Sequence, residues 1–212
     1  MRIYFTRHGE SHANVLRRIS NRGLVHPLTP QGRAQAAALA ERLRGRSITR
    51  IYASPMLRAI ETAVLVADRL GVDYEVTDAL REFDCGSAEG RADAEAWGLW
   101  QSAVDHWLRG RRWEWRIPGG ESFRDQRDRF VPFVERLVAQ YRDTNANLLC
   151  VSHGGLLWMM LPLVLANVDH DLIASRGLAN TTCIVAEPGP NGLRCVEWDG
   201  ITIGEDGVVG QR

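Results

Sequence analysis

A chain of 212 residues with 26 Lys plus Arg against 26 Asp plus Glu carries no formal net charge. General binding to nucleic acid or to an anionic membrane usually rests on a basic excess, so both are disfavoured, while a local positive pocket stays open. Hydrophobic residues at 45% and charged residues at 25%, with no low-complexity stretch, exclude disorder and suit a single domain over 1–212 with a substantial core.

In chain order, Ile3 to Thr6 is a short apolar, β-branched run and predicts a strand that ends at Arg7-His8-Gly9. The alanine-rich run from Gln31 to Leu43 predicts a helix, with Thr29 before Pro30 as its N-cap and Gly45 near its end. Arg50 to Ala53 reads as a second strand closed by Ser54-Pro55, followed by a helix over Leu57 to Leu70 that Gly71 stops. Tyr74 to Thr77 fits a third strand. Phe123 to Tyr141 has helical periodicity, with Pro132 marking a kink or a boundary. Asn147 to Ser152 is a fourth strand, followed by Gly154-Gly155 and an apolar helix. Cys183 to Ala186 and Leu193 to Trp198 form a terminal hairpin across Pro188-Gly189-Pro190-Asn191-Gly192. Strands alternating with helices predict an α/β fold with a mostly parallel mixed sheet. Residues 85–122 read as a cap insertion; within it, Trp97, Trp100, Trp107, Trp113 and Trp115 are five of the seven tryptophans.

Cys85, Cys150, Cys183 and Cys195 include no C-x-x-C pair, which argues against a zinc site and for reduced thiols in a cytoplasmic protein. The six residues before the first motif are too short for a signal peptide. The apolar run Leu156 to Ala166, interrupted by Pro162, is too short to span a bilayer and predicts a buried helix.

Two strand ends present histidine followed by glycine, at His8-Gly9 and His153-Gly154, and a third leads through Ser54 to Arg58. Ligands of open α/β sheets bind beyond the carboxyl ends of the strands, so these residues should converge. Two imidazoles and the guanidiniums of Arg7 and Arg58 make a site for an anion, and phosphate fits it best. Arginine matches two phosphate oxygens with a planar fork. A neutral imidazole supplies a nucleophilic nitrogen near pH 7, and neighbouring cations keep it unprotonated.

Six motifs in order resemble the histidine phosphatase superfamily, also called the phosphoglycerate mutase-like proteins. They are Arg7-His8-Gly9-Glu10 with Asn14, Leu28-Thr29-Pro30-Gln31-Gly32, and Ser54 through Ala63 with Arg58 inside it. Leu80-Arg81-Glu82 running to Gly90, Pro118-Gly119-Gly120-Glu121-Ser122, and Val151-Ser152-His153-Gly154 complete the set. The resemblance implies a three-layer α/β/α sandwich with the active site beneath the cap, and a small phosphorylated substrate. It implies His8 as the nucleophile that becomes phosphohistidine. Arg7, Arg58 and His153 would hold the phosphoryl oxygens, and Glu82 would act as general acid and then base. Asn14, Ser54 and Gly154 would add substrate contacts. The family uses no metal or other cofactor for this chemistry.

Several residues carry a structural reading beside the functional one. Arg7 and Arg58 could instead pair with Glu10 or Glu61, and Glu89 could cap a helix start. The tryptophans read mainly as packing of the inserted segment, with one or two available to line a ligand site. Arg109, Arg111 and Arg112 are balanced between a second anion contact and a solvated face. Phosphomonoester hydrolysis is the leading function. A phosphoglycerate mutase is the rival, disfavoured because Glu82-Phe83-Asp84-Cys85-Gly86 departs from the mutase pattern E-R-x-Y-G. A non-catalytic phosphate-binding module is the third reading, weakened because the nucleophile, both arginines and the acid are all present. Oligomeric state is left open, a homodimer included.

Overall fold

The computed structural model describes residues 1–190 and 192–204. In strand β1 (Arg2–Arg7) successive side chains point to opposite faces, and both faces are buried. Ile3 and Phe5 join one apolar cluster and Tyr4 the other. Strand β4 (Asn147–Ser152), its parallel neighbour, divides the same way: Leu148 and Cys150 on one side, Leu149 and Val151 on the other. Burial on both faces explains why these strands read as continuous apolar runs.

The helices that cover the two faces follow from this division. After a one-turn helix α1 (His12–Val15), helix α2 (Pro30–Leu43) begins at Thr29, whose side chain accepts from the Gly32 N–H. Strand β2 (Ile48–Ala53) leads to helix α3 (Leu57–Leu70), which ends at Gly71 in the left-handed region. Leu39, Ala40 and Leu43 of α2 and Ala59, Ala63 and Val66 of α3 cover the face that carries Tyr4. After β3 (Tyr74–Val76) come α4 (Ala94–Leu108) and α5 (Phe123–Tyr141). They cover the opposite face together with α6 (Gly154–Val164), through Val104, Trp107, Phe130 and Leu156 among others. A short α7 (His170–Arg176) precedes β5 (Cys183–Gly189), β6 (Gly192–Trp198) and β7 (Ile201–Thr202). The result is a three-layer α/β/α arrangement.

The sheet order is β3-β2-β4-β1-β5-β6-β7. Parallel pairing is confined to β3-β2-β4-β1, and the strands from β5 onward pair antiparallel. The sheet is therefore mixed in two halves: β5 lies antiparallel beside β1, and the hairpins from β5 to β7, with no crossover helix, can only return antiparallel. β2 begins at Ile48, two residues before the expected start, and β3 is an exposed three-residue edge. The hairpin forms where expected, with strands extended to Gly189 and from Gly192; Asn191 of its turn lies outside the described residues.

Helix α5 runs through Pro132 without ending. The carbonyl that loses its partner belongs to Asp128, an exposed residue that water can reach. Helix α6 likewise contains Pro162 and buries Leu156, Leu157, Met159, Met160 and Leu161. No helix of the described residues is long and apolar enough to cross a membrane.

Residues 85–122 are not appended to this core but built into it. Cys85, Ala88, Ala96, Ala103, Val104, Trp107 and Ile117 all belong to the cluster on the α5–α6 face. Trp107 is fully buried, edge-on to Phe83 at 5.3 Å, and its Nε1 donates to the Trp115 carbonyl at 2.8 Å. Two of the motifs dock on each other here. A Cβ on Gly86 would stand 2.2 Å from the Pro118 carbonyl oxygen, and one on Gly120 would stand 2.5 Å from the Asp84 carbonyl oxygen. Only glycine permits so close an approach.

Candidate active site

β1, β2 and β4 run parallel and adjacent, so their carboxyl ends deliver Arg7-His8, Ser54 and His153 to one edge of the sheet. His8 is 3% exposed and His153 1%, with ring centroids 5.1 Å apart. The next residue, Gly9, lies against Gly32, where a Cβ would meet the Gly32 carbonyl oxygen at 2.4 Å. That close approach ties the first motif to the second. Thr62 extends the tie by accepting from the Gly9 N–H at 3.1 Å and donating to the Arg58 carbonyl at 2.7 Å.

Hydrogen bonding sets the tautomer of His8. Its Nδ1 lies 2.6 Å from the Gly9 carbonyl, which can only accept, so Nδ1 carries the proton. Nε2 is left with the lone pair and accepts from Arg58 Nε at 3.1 Å. Burial, with Arg58 and Arg7 adding to it, holds the His8 pKa well below the usual histidine range. His153 is shifted the same way by burial and the same arginines. Its Nε2 lies 2.6 Å from Ser54 Oγ, and its Nδ1 is buried with no hydrogen-bond partner among the described residues.

Arg58 is 5% exposed and donates from Nη1 to the Ser20 carbonyl at 2.8 Å. Burial lowers its pKa to about 10. Arg7 donates from Nη1 to the Leu178 carbonyl at 2.7 Å, and its Nε is buried without a partner. The alternative pairings with Glu10 and Glu61 do not form. Glu10 accepts from Thr29 Oγ1, and Glu61 accepts from the Leu28 N–H and pairs with Arg33. Among the described residues neither Arg7 nor Arg58 has a carboxylate within ion-pair distance. Two such guanidiniums beside a buried neutral imidazole carry positive charge that Glu82 offsets only at a distance, and an incoming anion would compensate the rest.

Glu82 supplies a carboxyl group at the same edge. It sits at the N-terminus of α6, accepting from the N–H groups of Gly155 at 2.9 Å and Leu156 at 2.7 Å. Burial raises its pKa, and these backbone donors with Arg58 only partly oppose the rise. A raised carboxyl pKa is what proton donation near neutral pH requires.

A cavity of about 390 Å³ opens onto this group, lined by Arg7, His8, Asn14, Arg58, Glu82 and Gly154 of the residues expected to form the site. Asn14 reaches it while its Oδ1 accepts from the Ser11 N–H and hydroxyl to cap α1. Ser54 does not reach the wall: it is fully buried and positions His153. Glu89 ends the short 3-10 turn Gly86–Ala88; its carboxylate accepts from the N–H of Cys85, which starts that turn, and from the N–H of Asn21. Arg109, Arg111 and Arg112 are exposed and line no part of the cavity.

Sequence reasoning missed Arg18, Ser20 and Asn21, and also Trp158, Ile173 of α7 and Leu178 just after it. Arg18 is exposed and has no ion pair among the described residues. Only its short distance from the first motif could have flagged it. The tryptophans divide: Trp97 and Trp100 line the cavity, Trp107 and Trp113 pack against Phe83 and Phe123 of the core, and Trp115 packs on His106.

The family model of the histidine phosphatase superfamily (branch 1) matches residues 3–200. A glucosyl-3-phosphoglycerate phosphatase of Mycolicibacterium vanbaalenii is 35% identical over 208 residues, which cover 93% of this chain and 91% of that protein. A probable phosphoglycerate mutase GpmB of Proteus mirabilis is 34% identical over 192 residues, covering 88% and 83%. Among solved structures, Bacillus stearothermophilus YhfR superposes with a TM-score of 0.78 at 28% identity, covering 94% of this chain and 96% of that one. The ordered motifs, the sheet that brings their histidines together and these likenesses agree: the chain belongs to the histidine phosphatase superfamily.

Proposed function

We propose that the protein hydrolyses phosphomonoesters of small metabolites through a phosphohistidine on His8. The observation that carries this reading is the tautomer of His8. Nδ1–H is held by the Gly9 carbonyl, and the Nε2 lone pair meets the Arg58 guanidinium, which like Arg7 has no ion-paired carboxylate among the described residues. Nε2 attacks phosphorus as the ester P–O bond breaks. The leaving alkoxide takes its proton from Glu82, whose raised pKa suits it to donate. Arg7 and Arg58 stabilise charge on the equatorial oxygens, where most of the catalytic work of phosphoryl transfer lies. When the Ser54 hydroxyl donates into His153 Nε2, Nδ1–H is left to donate to a phosphoryl oxygen, which relieves its unpartnered burial. Asn14 and Gly154 add contacts at the cavity wall. In the second half, water attacks the phosphohistidine, Glu82 takes the proton, the P–N bond breaks and inorganic phosphate leaves. Four free, buried thiols suit a reducing compartment, and we read the protein as cytoplasmic.

The test is release of inorganic phosphate from a panel of phosphomonoesters, beside a coupled assay for conversion of 3- to 2-phosphoglycerate. The controls are His8→Ala and detection of acid-labile phosphate on the protein. Release that depends on His8 supports the hydrolase. Isomerisation without net release assigns a mutase, and neither product together with no acid-labile phosphate on the protein assigns a binding module.

A further inference from the structure

We propose that the preferred substrate carries a flat apolar ring on the alcohol side of its phosphate ester, held against Trp97, Trp100 and Trp158. The inference rests on the hydrolase reading for the position of the phosphate but draws on different residues. Trp158 lies four and three residues after Gly154 and Gly155, on the α6 face where those glycines meet Arg7 and Glu82. A ligand whose phosphorus sits at His8 therefore has Trp158 one helical turn beyond it. Trp97 and Trp100 are three apart on α4 and present the other side of the wall.

The rings are ordered before any ligand arrives. Trp100 stacks on Trp158 at 6.2 Å and 21°, and on Phe83, the neighbour of Glu82, at 6.2 Å and 30°. Trp97 meets Trp100 edge-on at 6.0 Å and is fixed by its Nε1 donating to the Arg17 carbonyl. Yet Trp97 stays 39% exposed. Preordered aromatic surface binds with little loss of side-chain entropy.

The wall favours a ring over a polyhydroxylated group. The Trp97 N–H is already spent, the Trp158 N–H is buried without a partner, and the side chains of the adjoining Ile19, Ile173 and Leu178 offer only carbon. Sugar hydroxyls placed there would lose water without gaining partners. The polar lining gathers around His8 and the loop of Arg18, Ser20 and Asn21, so Arg18, next to the Arg17 that holds Trp97, sets a charged group beside the aromatic wall.

The experiment compares kcat/KM for 2-naphthylmethyl phosphate, cyclohexylmethyl phosphate and glucose 6-phosphate. All three release a primary alcohol, so leaving-group chemistry does not set the ranking. The naphthyl ester should exceed glucose 6-phosphate by about tenfold or more, with the cyclohexyl ester between them. Trp97→Ala and, separately, Trp158→Ala should collapse that ratio. Calorimetry with 2-naphthylmethylphosphonate against methylphosphonate reads the wall without turnover, so it stands even if no ester is hydrolysed. Equal affinity for the two phosphonates overturns the inference. So does a glucose 6-phosphate preference that disappears in Trp97→Ala.

Discussion

Gly155→Ala isolates the contact that aims Glu82. A Cβ at this position would lie 2.8 and 2.9 Å from the two Glu82 carboxyl oxygens and 2.9 Å from Phe83 Cε1. Ordinary contact distances begin about half an ångström further out, so the carboxyl group must retreat or the start of α6 must bend. Either change stretches the bonds from the Gly155 and Leu156 N–H groups. General acid catalysis contributes about 10²- to 10⁴-fold, and misplacement of a catalytic group by about 1 Å costs about 10²-fold. A shift of roughly half that size should lower kcat/KM for alkyl phosphates by about tenfold to a hundredfold. p-Nitrophenyl phosphate, whose leaving group needs little help from an acid, should change much less. Steady-state kinetics on both substrates test this, with Glu82→Gln as the companion variant and a melting curve to confirm folding. Equal slowing of both substrates in a folded Gly155→Ala protein would refute the acid role of Glu82. An unchanged alkyl rate would refute the contact itself.

Acid should destabilise the fold through His8 and His153, both held well below the ordinary histidine pKa of 6.5. Above that value both are neutral in either state. As pH falls below it, the unfolded chain takes up protons that the folded chain refuses. Stability should then fall by up to about 1.4 kcal/mol per pH unit per histidine. Glu82, shifted upward, acts in the opposite sense and regains stability only as pH falls through its raised pKa. Urea midpoints at pH 7 and 5.5 should therefore differ, and identical midpoints would mean the histidines protonate in place. Trp107→Ala should cost about 3–5 kcal/mol in urea unfolding, because a fully buried indole between Phe83 and Phe123 leaves a cavity that no neighbour fills. A cost below about 1 kcal/mol would show that residues 85–122 fold apart from the core. Arg18→Ala should raise KM for dianionic substrates about two- to fivefold at low salt, and less at high salt, as an exposed cation at the cavity does. A fall in kcat at constant KM would assign Arg18 a different part.

Local signals settled much of this protein in advance. The ends of α3 and α5 coincide with the expected ones, because an apolar stripe at helical spacing meets Gly71 at one boundary and Ser122 with Asp125 at another. His8, Arg58 and His153 were legible because each sits at a strand end or helix start, where backbone geometry aims the side chain, whereas Glu82, in the loop after Leu80, was legible only through its motif. The terminal hairpin was legible from its turn, but the antiparallel seat of β5 beside β1 was not, since strand direction depends on connections rather than on the residues within a strand. Three decisions belong to the tertiary structure. Ser54 turned inward to hold His153, because the α3 start closes over it. Residues 85–122 became core, because Trp107 found Phe83 and Phe123 at a sequence distance no periodicity reports. The cavity wall drew Arg18, Trp97, Trp158 and Leu178 from four separated segments. Pattern within a segment fixes which face a residue takes. Which distant segment meets that face is decided only when the chain closes on itself.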